Sequence, residues 1–106
     1  MSEAEIPKQI DSQMVIGVLT VFLDIPGSSS LKDKRQVLRS LLDGLRRKYN
    51  VSAAELDSLD SRRRATIGVT IVSNDKVFAN QVLNSAMGRV ESDPRVTTLD
   101  YTLEFL

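Results

Sequence analysis

Apolar and polar positions along the chain fall into blocks of two different periods. From Met14 to Ile25 (M-V-I-G-V-L-T-V-F-L-D-I) both alternating sets are apolar or β-branched, which predicts a central strand buried or half-buried on each face. Pro26 to Ser29 is turn chemistry, and Ser30 followed three residues later by Asp33 resembles a capping box that starts a helix near Leu31. Leu31, Leu38, Leu41, Leu42, Leu45 and Tyr49 then recur at helical spacing, leaving Lys32, Arg35, Arg39, Asp43, Arg46 and Arg47 on the other side.

Asn50 to Leu56 reads as a short strand, Asp57 to Arg63 as a polar loop, and Arg64 to Ser73 as a strong strand with Ala65, Ile67, Val69 and Ile71 on one face. Ser73-Asn74-Asp75 signals a second helix, with Asn74 as a cap and Ala79, Val82, Leu83, Ala86 and Val90 as its apolar stripe up to about Ser92. Thr97 to Leu106 alternates, which predicts Leu99, Tyr101, Leu103 and Phe105 inward and Thr98, Asp100, Thr102 and Glu104 outward. The resulting order, βαββαβ, is the ferredoxin-like α+β arrangement: a four-stranded antiparallel sheet with two helices on one face. Met1 to Gln13 is polar and aperiodic, so residues 1–13 are expected to be a flexible leader and residues 14–106 a single domain.

That architecture leaves one sheet face open, and either alternating set of the first strand would make it apolar. A second copy of the chain is the expected cover, with the leader folding over it as the alternative.

Fourteen basic and fourteen acidic residues cancel over the whole chain, but their distribution is uneven. Lys32 to Lys48 holds seven cations against Asp33 and Asp43, and Arg62, Arg63 and Arg64 follow in the loop before the third strand. Three of those cations (Lys32, Lys34, Arg35) stand at a helix start, where the peptide dipoles favour anions. A bound phosphate would reverse that penalty; otherwise Asp33 compensates in part and the lysines point into water. Cysteine and histidine are absent, which removes thiol chemistry, the usual zinc ligand sets and the commonest neutral-pH base. No segment reads as a signal peptide or is long enough to span a bilayer, so a soluble cytoplasmic protein without a small-molecule cofactor or metal is expected.

Taken together, V-I-G-V-L in the first strand, I-P-G-S-S-S-L-K-D-K-R-Q-V-L-R-S-L-L after it, N-V-S-A-A-E, R-A-T-I-G and V-S-N-D resemble the YlxP-like family of small bacterial proteins over Met14 to Leu106. The resemblance implies the ferredoxin-like fold and a functionally uncharacterised family. Its genes often neighbour those of translation and ribosome-maturation factors, which implies ribosomal RNA or a ribosomal subunit as partner. Where the family commonly carries a tryptophan before the R-A-T-I-G-like strand, this chain has Arg62, replacing a stacking platform with a cation.

The reading taken from the sequence is a noncatalytic accessory factor that binds RNA or the ribosome through a basic patch. Its candidate anion contacts are Ser28, Ser30, Lys32, Lys34, Arg35, Arg39, Arg46, Arg62, Arg63 and Arg64. With aromatics at 5%, helices and loops rather than a stacking sheet would carry such binding. The alternatives are a homodimeric protein-interaction or regulatory module without nucleic acid, and a small phosphate-ester or acylphosphate hydrolase. The latter would cast Gly27 to Ser30 with Arg35 as a phosphate loop and Asn74 as the water-orienting group.

Overall fold

The computed structural model describes residues 13–106. The expected leader falls almost entirely outside them. Six elements follow in order: β1 (Val15–Asp24), α1 (Leu31–Lys48), β2 (Ser52–Asp57), β3 (Arg64–Ser73), α2 (Lys76–Glu91) and β4 (Thr97–Phe105). They build the ferredoxin-like βαββαβ domain. The strands form one antiparallel sheet in the order β2-β3-β1-β4, so the two most apolar strands are central and the shorter, more polar ones lie at the edges.

Register explains which face is covered. Leu19 pairs with Val69, Val21 with Ile67 and Leu23 with Ala65, and all of these are buried beneath the helices. From above, α1 contributes Leu38, Leu41, Leu42 and Leu45, and α2 contributes Ala79, Leu83, Ala86, Met87 and Val90. Gly17 lets α2 sit close. A Cβ there would stand 2.8 Å from Leu83 Cδ1 and 3.0 Å from the Phe105 ring.

β4 departs from the expected inward set. Leu103 and Phe105 pack against the core, but Leu99 and Tyr101 are 48% and 47% exposed. Of the two described helices only α2 reaches this edge strand, and the register slips beside Phe22 and Leu23, where Leu99 has no direct partner on β1. The α2 cap is also one residue later than expected: the Asp75 side chain, not Asn74, accepts from Phe78 N. Among the described residues no helix is long and apolar enough to cross a membrane.

Candidate nucleic-acid interface

The start of α1 is capped from within. Ser30 Oγ accepts from Asp33 N at 3.1 Å, while Asp33 Oδ2 accepts from Ser29 N at 3.2 Å and from Ser29 Oγ at 3.0 Å. Those Ser29 bonds, helped by Ser30 and the charge of Lys32, hold the Asp33 carboxyl below the ordinary aspartate value. The anion at this helix start is therefore the chain's own. Ser28 is buried in the preceding turn, its amide donating to Ile25 O at 3.0 Å and its hydroxyl to Ser30 O at 3.0 Å. Both serines expected to contact a ligand are occupied in building the turn.

Lys34 is removed from the surface altogether. Its side chain is fully buried, and Nζ donates to Ser58 O at 2.7 Å and Arg64 O at 3.2 Å, with Leu59 O at 3.5 Å. Glu55 Oε2, 3.0 Å away, supplies the counter-charge but is out of line for a hydrogen bond. This ammonium ties α1 to the β2–β3 loop. Ser58, whose carbonyl makes the shortest contact, stands at φ 62°, in the left-handed region that serine seldom occupies. The sequence does contain a signal for this. Leu31, Lys34, Leu38, Leu41 and Leu45 follow a 3-4-3-4 apolar spacing that Lys34 interrupts, and Glu55 interrupts the inward set of β2 behind Ala53.

The remaining candidates divide into those with an ion pair among the described residues and those that stand exposed. Arg63 grips Asp24 with two bonds, Nε to Oδ1 at 3.1 Å and Nη2 to Oδ2 at 2.7 Å, and Arg64 Nε lies 3.7 Å from the same carboxylate. The Arg63 bond drives the Asp24 carboxyl down and, in return, the guanidinium up. Arg46 pairs with Asp43 at 3.0 Å and donates to Ala53 O, joining α1 to β2. It lies about 22 Å along the helix from Leu31 at 1.5 Å per residue. Lys32, Arg35, Arg39 and Arg62 are exposed. Arg35 and Arg39 form the accessible stripe on the outer face of α1, and Lys32 extends it beside Asp33.

Sequence reasoning missed two cations of α2 and the turn after it. Arg95 holds Asp93 at 2.7 and 3.0 Å and donates to Ser40 Oγ on α1 at 3.2 Å, while Arg89 lies against α1 at Gly44. The reach of Arg95 to Ser40 and the seat of Arg89 at Gly44 depend on how the helices dock, which periodicity does not encode.

The constellation imagined for hydrolysis is not assembled. Gly27 to Ser30 follow the Asp24 end of β1, whereas Asn74 follows Ser73, which pairs with Val15 at the opposite end. A ten-residue strand separates them, about 30 Å at 3.3 Å per residue.

A ferredoxin-like domain with a cationic helical layer is thus the class that fold and side chains define. The chain belongs to the family described as "Protein of unknown function (DUF503)", whose model matches residues 16–103. It is 32% identical over 69 residues to the "Uncharacterized protein YlxP" of Bacillus subtilis (strain 168), covering 65% of this chain and 75% of that one.

Proposed function

We propose that this protein is a noncatalytic accessory factor that associates with RNA, ribosomal RNA foremost, through its helical layer. The observation that carries this is the separation of charge by element. Leaving aside the buried Lys34–Glu55 pair, helices α1 and α2 hold eight cations (Lys32, Arg35, Arg39, Arg46, Arg47, Lys48, Lys76, Arg89) against three acids (Asp33, Asp43, Glu91). The strands hold four acids (Asp24, Asp57, Asp100, Glu104) against Arg64 alone. A net-neutral molecule so divided presents one face to a polyanion and repels it from the other. With Ser28, Ser30 and Lys34 consumed internally, the contacts on α1 reduce to Lys32, Arg35 and Arg39, joined by Arg62 from the β2–β3 loop.

The test is binding of ribosomal RNA by the parent chain and by a variant carrying Lys32→Gln, Arg35→Gln and Arg39→Gln, over a salt series. Each lost phosphate contact should take about 0.7 to 0.9 from the log–log slope. An unchanged slope overturns the α1 face as the contact surface.

A second reading concerns the opposite face. Ile16, Val18, Phe22, Leu56 and Val72 lie on the side of the sheet that neither helix covers, with Phe22 38% and Val72 65% exposed among the described residues. We assign this face to a second copy of the chain, since a twofold pair covers it without another partner. Light scattering at micromolar concentration should report twice the chain mass, and a monomer at high concentration overturns the assignment.

A further inference from the structure

The two helices run antiparallel, and Arg89 of α2 lies against the backbone of α1 where Gly44 provides room. A Cβ at position 44 would stand 2.8 Å from Arg89 Nη2 and 3.3 Å from Nε. Glycine is among the poorest residues for a helix interior, so its presence in α1 calls for a reason, and the seat of this guanidinium supplies one. Two adjoining cavities of about 340 and 360 Å³ share Ser40 and Arg89. One continues to Asp93 and Arg95, the other to Arg47 and Lys48.

Charge in this groove is unbalanced. Arg95, Arg89, Arg47 and Lys48 face one carboxylate, Asp93, and both its oxygens already accept from Arg95. Among the described residues Arg89 forms no salt bridge, its charge acting on the Asp93 carboxyl only from a distance, which leaves its planar fork of donors for a phosphate. From Ser40 to Arg47 the groove runs about 10 Å at 1.5 Å per residue. Phosphates on one strand of duplex DNA recur about every 3.4 Å along the axis, and even at twice that spacing, as on a more extended single strand, more than one fits within the groove.

We infer that the groove between α1 and α2 is a track for the phosphodiester backbone of RNA, with Arg89, seated on Gly44, as its central contact. The inference rests on the RNA-binding reading above and extends it from the outer stripe of α1 to a site built by both helices. Contact is with the backbone, so recognition there is independent of base sequence.

Gly44→Ala separates this from general electrostatics because it moves Arg89 and changes no charge. The full chain is titrated with fluorescein-labelled oligouridylate, followed by anisotropy at several salt concentrations. Arg89→Gln should weaken binding and take about 0.7 from the salt slope, the value for one contact on a single strand. Gly44→Ala should weaken it as well, while its melting temperature holds or rises. If Arg89→Gln alone weakens binding, the seat on Gly44 is not the contact geometry and the inference fails. If neither variant differs from the parent while Arg35→Gln with Arg39→Gln weakens binding, the groove is overturned and the α1 reading stands. A parent chain that does not bind the oligonucleotide overturns both.

Discussion

Lys34 shows how one residue can carry opposite meanings. As a cation at a helix start it reads as part of an anion site; as an interruption of an apolar spacing it reads as a buried tie. The structure realises the second, with two close carbonyl acceptors and a carboxylate around Nζ. Removing one partner from a buried pair typically costs about 3–5 kcal/mol, because the other charge and the carbonyls are left without compensation. Glu55 keeps 18% exposure and can draw in water, which puts Lys34→Met near the lower end, about 3 kcal/mol by urea unfolding. A cost within about 0.5 kcal/mol, the usual surface range, would show that the tie contributes nothing. Gly44→Ala should act in the opposite direction. The nearest obstacle is the far end of a flexible arginine, so the gain in helix propensity, about 0.5–1 kcal/mol, should appear as added stability.

At the scale of elements, local chemistry was legible for β3 and for the start of α1, and one residue off at the α2 cap, where neighbouring Asn74 and Asp75 are both good caps. The bounds of β3 follow from the alternation of Ala65, Ile67, Val69 and Ile71, and the start of α1 from Ser30 and Asp33. Exposure of Leu99 and Tyr101 was not legible, because it depends on how far α2 reaches across the sheet. Nor was the tie of Arg95 to Asp93 and Ser40, which joins the α2–β4 turn to α1. Ser30→Ala should cost about 1 kcal/mol by removing the cap on Asp33 N. The Arg95 bond holds the Asp93 carboxyl below its ordinary 3.8. A carboxyl with a lowered folded-state value binds fewer protons than in the unfolded chain, so its stabilisation is full above 3.8 and drains away as pH falls through the folded value. The parent should lose melting temperature progressively below about pH 4, and Asp93→Asn should lose less over the same interval. Parallel curves for the two would remove Asp93 from the acid response.

At the scale of the whole molecule, the two faces of the sheet divide the proposed work. A twofold pair formed through Ile16, Val18, Phe22, Leu56 and Val72 would turn both helical layers outward, giving two cationic surfaces on opposite sides. Linked surfaces raise each other's effective concentration on a long RNA, so dimerisation and apparent RNA affinity should fall together. Phe22→Lys tests this with little risk to the fold. Phe22 lies opposite Asp100 on β4, so lysine there gains a cross-strand partner of opposite charge while placing a cation in the apolar face. The variant should be monomeric by light scattering and keep its melting temperature. Its affinity for short oligouridylate should match the parent, because α1 and the groove are untouched, whereas its affinity for long ribosomal RNA should drop. A Phe22→Lys protein that remains dimeric would show that the pair uses a different face. One that becomes monomeric yet binds long RNA as tightly as the parent would separate the two surfaces, leaving each protomer to bind RNA alone.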